Sequence, residues 1–150
     1  MITDLQMYLT PVAGQLFNET DGNSEYGSVP YDLGAAGVDP AVGEALDVLC
    51  RVVDADNNVG TSYDVAVVAS TTGAAGGTEA VVATSTILVA NLTRYKTHRI
   101  GRIQPGAIAK RYLAAKVTTH GGTPTAGKLA IWLAKGSDAV PADSAGQFVP

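Results

Sequence analysis

The side chains of this 150-residue chain that could carry chemistry are two histidines, one cysteine and two loops rich in Asp and Asn. His98 and His120 sit in different segments. No GxSxG elbow supplies a serine for either to activate, so neither reads as catalytic. The glycine cluster "GAAGG" at 73–77 lacks the GK[ST] ending of a phosphate loop and is not followed by a helical pattern, so it reads as a turn. Cys50 stands alone, which excludes an internal disulfide and a thiolate cluster for zinc. Its expected role is that of a small buried hydrophobe. Asp54, Asp56 and Asn58, like Asp21, Asn23 and Glu25, have the alternate spacing that opens a calcium loop. A hard cation wants six or more oxygens, and neither run has Gly at the sixth or Glu at the twelfth position. Both read as turns, which Asp and Asn favour for backbone reasons. No feature selects a pair of carboxylates for glycoside hydrolysis. The expectation is a protein that is not an enzyme, with no catalytic residue, cofactor or metal.

Charge is distributed unevenly. Residues 1–93 hold 12 acidic side chains and one basic one, Arg51, whereas residues 94–150 hold nine basic and two acidic. The stretch 94–116 carries Arg94, Lys96, Arg99, Arg102, Lys110, Arg111 and Lys116 without a carboxylate. Two readings stay open: strands from the two halves interleave and neutralise each other, or the molecule presents opposite poles to complementary neighbours. Tyr95 and Tyr112 lie among these cations as a nucleic-acid stacking platform would require. A pI near 4.9 and an acidic first half argue against a nucleic-acid partner. The N-terminus lacks a basic region and a long apolar core, so no signal peptide is expected. The longest uncharged runs, 65–78 and 80–93, fall short of the roughly 20 residues that a membrane helix needs. A soluble product made in the cytoplasm is expected, with no membrane partner.

These residues must be positioned by strands. In "LDVLCRVV" Leu46, Val48, Cys50 and Val52 fall on one face and Asp47 and Arg51 on the other. In the next strand Val59, Tyr63, Val65 and Val67 face one way, Ser62 and Asp64 the other. "EAVVATSTILVAN" is apolar on both faces and reads as central. "RYKTHRIGRI", if extended, sets Arg94, Lys96, His98 and Arg102 on a single face. "PVAGQLFN" and "YGSVPYDLG" read as extended edge segments, because Pro11 and Pro30 remove ladder donors. "DPAVGEALD" reads as a helical turn capped by Asp39. Residues 111–134, "RYLAAKVTTHGGTPTAGKLAIWLA", read as a hairpin. Leu113, Ala115 and Val117 would pair inward with Leu129, Ile131 and Leu133, leaving Tyr112, Lys116, Lys128 and Trp132 on the opposite face. Short strands between turn signals, with no sustained helical period, predict one all-β domain over 1–150. It would be an antiparallel β-sandwich with a short N-terminal arm and a loose Pro- and Ser-rich C-terminal tail.

The stretch "KRYLAAKVTTHGGTPTAGKLAIWLA" resembles the last strands of small jelly-roll structural proteins of tailed bacteriophages. It is most similar to the cement protein family first seen in a short-tailed Bordetella phage. The resemblance is carried by Arg111, Tyr112 and Leu113 and by Thr125, Ala126, Gly127 and Lys128, over about 107–135. It implies a jelly-roll sandwich, a homodimer, and a place in the virion on the outside of an icosahedral shell. There it would bridge neighbouring major capsid protein subunits, without catalysis. Candidate contact residues are Met7 and Tyr8 of the arm, the cations Arg94, Lys96, Arg99 and Arg102, and the aromatic pair Tyr112 and Trp132. The competing expectation is a carbohydrate- or receptor-binding β-sandwich of a head fibre or other virion component, with aromatic side chains grouped on an exposed face.

Overall fold

Alternation of side chains along "LDVLCRVVD" sets the plan of the molecule. In a computed structural model, which describes residues 7–38, 40, 43–54, 60–73 and 78–135, this segment is strand β3 (Leu46–Asp54). Before it come two short strands, β1 (Ser24–Tyr26) and β2 (Tyr31–Asp32). After it come β4 (Ser62–Ser70), β5 (Glu79–Leu88), β6 (Thr97–Ile103), β7 (Tyr112–His120) and β8 (Lys128–Lys135). A short 3-10 turn, Val89–Asn91, follows β5. The protein is all-β, and its described ladders are antiparallel.

Two sheets form. One has five strands, in the order β1–β7–β4–β5 with β2 also on β7. The other has three, in the order β6–β3–β8. The N-terminal arm runs along the free edge of β8, bridging at Tyr8–Trp132 and Gln15–Leu129. The pairing is nested: the arm lies on β8, β1 and β2 on β7, β3 on β6, and β4 on β5. The chain is in effect one long antiparallel ribbon, turned back at β4–β5 and wound so that successive strand pairs fall in alternate sheets.

The inner faces bury one core. Leu46, Val48, Cys50 and Val52 of β3 meet Ile131 and Leu133 of β8 and Val65, Val67, Leu113 and Val117 of the other sheet. The inward stripes read from the sequence for β3, for β4 (Tyr63, Val65, Val67) and for β7 and β8 are all in this core; Val59 lies outside the described residues. Burial pushes the Cys50 thiol up to about 12, so it stays a neutral apolar filler. At one corner the backbones of β5 and β6 come close. A Cβ on Gly101 would stand 3.2 Å from that of Ala83, so glycine is what lets the sheets converge there.

Three expectations are corrected. Residues 111–134 are not a hairpin: β7 belongs to the five-stranded sheet and β8 to the other, and the Gly/Thr/Pro turn carries the chain from one layer to the next. Leu113 and Leu133 therefore meet across the core and not as ladder neighbours, and Tyr112 and Trp132 lie on opposite outer faces. β5 is an edge strand and not a central one. Among the described residues it pairs with β4 alone, and Val81 and Leu88 are 58% and 56% exposed. In β6, Ile100 is an extra residue between the Val48–Gly101 and Leu49–Arg99 pairs. The bulge breaks the alternation, so Arg99 joins Arg102 on one face. Arg94 and Lys96 precede β6, and His98 turns to the carbonyl of Asn91, 3.1 Å away. Asp39, residues 55–59 and 74–77 and the C-terminal tail lie outside the described residues.

Ile131 is fully buried at the centre of β8. Ile131→Ala is expected to destabilise the fold by about 2–5 kcal/mol through lost burial and an unfilled cavity, read as a lowered midpoint in urea.

Candidate functional site

The residues that alternation turns away from the core build a surface on which half of the candidate contacts meet. On the outer face of the three-stranded sheet, cross-strand register sets them in rows. Arg102, Asp47 and Ala134 form the first row, and Arg99, Leu49 and Trp132 the second, with Tyr8 of the arm beyond Trp132. Thr97, Arg51 and Ala130 form the third. Leu49, Trp132 and Ala134 form a second apolar cluster, separate from the core, with Tyr8 packed against it. The Tyr8 and Trp132 rings stack at 5.4 Å between centroids and 24° between planes.

Asp47 is the electrostatic centre of this face. Its side chain is 0% exposed, although it points away from the core. Arg102 Nε donates to Oδ1 at 2.9 Å and Nη2 to Oδ2 at 3.3 Å. Arg99 donates to Oδ1 from Nε at 3.0 Å and from Nη2. Burial pushes the Asp47 carboxyl up, but the hydrogen bonds from Arg102 and Arg99 outweigh it and hold the carboxyl below the ordinary range. Both arginines remain about half exposed, at 48% and 46%. They are pinned at one end and free to contact solvent or a partner with the rest of the guanidinium.

The cationic character continues past Arg51. Its guanidinium carbon lies 5.4 Å from the centre of the Tyr95 ring, and that of Arg94 lies 4.9 Å from the same ring. Tyr95 is held in a left-handed conformation, φ +68°, and its backbone joins the sheet through a hydrogen bond from its N–H to the Val52 carbonyl. The guanidiniums of Arg51, Arg99 and Arg102 thus share a face with the Asp47 carboxylate, and that of Arg94 meets the same Tyr95 ring as Arg51. Charge patterning located Arg94, Arg99 and Arg102. It missed Arg51 and the organising role of Asp47, although the alternation of β3 already sets both on one face.

Other candidates separate from this face. Met7 packs against the main core and anchors the arm inward. Lys96 is exposed beside Tyr95. Tyr112 lies on the far side of the sandwich, with Arg111 over its ring at 5.1 Å. That far face is neutralised locally. Lys116 stands opposite Ala66 and Glu79 opposite Ser70, so the two must reach over Val68 to form their ion pair. Tyr26 Oη donates to the same carboxylate at 2.8 Å. The hydrogen bond from Lys116 holds the Glu79 carboxyl below its usual range. His120 Nε2 lies 2.7 Å from Asp64 Oδ2, and Thr86 donates to the other Asp64 oxygen at 2.6 Å.

The oxygen-rich loop at 21–25 serves neighbouring backbone and side-chain groups. Asp21 accepts the Gly121 N–H at 2.8 Å, the Asn23 side chain donates to Thr20, and Glu25 accepts the Asn18 N–H at 2.7 Å. Asp56 and Asn58 lie outside the described residues. Neither protein-family models nor curated protein sequences match this chain.

Because the Asp47 pKa is depressed in the folded state, its contribution to stability is present above the ordinary carboxyl pKa and is lost as pH falls through the folded value. Asp47→Asn is expected to cost on the order of 1 kcal/mol at neutral pH, a figure kept small because both guanidiniums face solvent. The gap between wild type and variant is expected to close on acidification below about pH 4. Urea titrations across pH measure this; a gap independent of pH would remove the ion cluster as its source.

Proposed function

We propose that this chain is a structural protein of a phage virion, a cement protein that binds the outside of the icosahedral shell and ties neighbouring major capsid protein subunits together. The observation that carries the reading is the outer face of the three-stranded sheet, where Arg51, Arg99, Arg102, Tyr8 and Trp132 share one surface. Trp, Tyr and Arg are the side chains that dominate binding energy at protein interfaces. Here they are held in place before any partner arrives, which lowers the ordering cost of association. The excess of guanidinium over carboxylate suits a partner surface that presents acidic side chains and backbone carbonyls. The nested pairing, first segment with last and inner strands with each other, supports the jelly-roll form of the sandwich that the resemblance implies.

The carbohydrate-binding alternative called for an open aromatic platform. The aromatics of this face are grouped, but Trp132 is 7% exposed beneath Tyr8, which leaves its ring little surface for a sugar to stack on. Protein contact is the better use of such a pair.

Binding, not turnover, is the mechanism: each copy adds its interface energy to the cost of separating the subunits it spans. The test is co-sedimentation of the purified chain with undecorated capsids. Saturable binding that weakens with added salt is expected. Arg51→Glu, which leaves the Asp47 cluster untouched, should weaken it by about tenfold, or 1.4 kcal/mol. Lys110→Glu should leave it intact, since Lys110 donates to the Thr78 carbonyl beside the other sheet. No sedimentation, or equal loss with both variants, overturns the proposal.

A further inference from the structure

The turn before β6 carries a side chain that its backbone does not favour. Lys96 N–H donates to the Thr93 carbonyl at 3.0 Å, closing a four-residue turn in which Tyr95 stands third. Tyr95 takes φ +68°, and every other positive-φ residue among those described is a glycine. Glycine or asparagine is the usual occupant of such a position, because a larger side chain is crowded there. The turn is tied to β3 on both sides: Tyr95 N–H donates to the Val52 carbonyl at 2.6 Å, and Val52 N–H to the Lys96 carbonyl at 2.9 Å. A ring at this point gains little by burial, since Tyr95 is 52% exposed. What it gathers is charge. The Arg51 and Arg94 guanidinium carbons stand 5.4 and 4.9 Å from its centre, and Lys96 follows it in the turn. Strained residues of this kind collect at functional sites, where the surrounding pairing can hold them.

We infer that this turn is a receptor for an acidic segment of the partner protein, with Tyr95 as the positioning residue that presents Arg51 and Arg94 to it. The chain itself shows what a pair of guanidiniums on this sheet takes: Arg99 and Arg102 close on the single carboxylate of Asp47. Among the described residues, no carboxylate comes within ion-pair distance of Arg51 or Arg94. Both side chains are exposed, so a carboxylate from outside can take the place that Asp47 fills for the other pair. A ring lying against both guanidiniums limits their freedom before the partner arrives, which lowers the ordering cost of binding. A single strand of nucleic acid would need the ring as a stacking platform, and two guanidiniums already lie against it. The inference rests on the shell-binding reading only for the source of the acidic segment; the receptor itself is tested without shells.

NMR titration of the isotope-labelled chain, at low salt and with no capsid present, tests it. Hexaglutamate should shift the Nε–H resonances of Arg51 and Arg94 and the Tyr95 amide saturably, and added salt should reverse the shifts. Hexaglutamine should leave them in place. Tyr95→Phe keeps the ring and should bind as the wild type does. Tyr95→Gly removes it and should weaken hexaglutamate binding by about fivefold, the scale of exposed cation–π contacts. Its urea midpoint should hold or rise, because glycine accepts the left-handed backbone. A purely structural ring would show the reverse, a lower midpoint with unchanged binding. Shifts absent at Arg51 and Arg94, binding unchanged by Tyr95→Gly, a lowered midpoint, or tighter binding of hexathymidylate overturns the inference. Hexaglutamate binding by a chain that does not co-sediment with capsids would keep the receptor and remove only the shell as the source of the segment.

Discussion

A side-chain period of two is the constraint from which the rest of the molecule follows. Once Leu46, Val48, Cys50 and Val52 are committed to the space between the sheets, Asp47, Leu49 and Arg51 have to leave on the other side. The same holds on β8, where burying Leu129, Ile131 and Leu133 sends Ala130, Trp132 and Ala134 outward. The outer face is therefore the complement of the core, registered to it residue by residue. A slip of one residue in β3 would place Asp47 and Arg51 between the sheets, which is why this register is firmly specified.

Nesting of the chain settles the question raised by its lopsided charge. Ribbon halves that pair first with last bring an acidic first half against a basic second half. Each ion pair joins the two: Asp47 with Arg99 and Arg102, Asp32 with Arg111, Glu79 with Lys116 and Asp64 with His120. Interleaving thus neutralises the far face and leaves a cationic surplus on the face of the three-stranded sheet. The pairs do not contribute equally. Asp32 and Arg111 are each nearly half exposed, so their bond holds the Asp32 carboxyl down at about 2 while adding little to stability. Asp47 is shielded from water and fixes two side chains at once.

Inward stripes were legible wherever one face of a strand was apolar and the other polar, as in β3 and β4. What alternation could not reveal was which strand lies beside which. Leu113 and Leu133 have inward stripes of the same phase whether β7 and β8 form a hairpin or face each other across the core, and a Gly/Thr/Pro turn serves either path. The same blindness explains β5. Val81 and Leu88 look like core residues because exposure depends on sheet order, and sheet order is set by pairings between residues far apart in the chain. The bulge at Ile100 was hidden for a different reason. It is a local excess of one residue in β6 relative to β3, so nothing within "RYKTHRIGRI" announces it, yet it decides that Arg99 shares a face with Arg102. Half of the candidate site was visible as a cluster of cations; its organising carboxylate lay 52 residues from Arg99 in the chain.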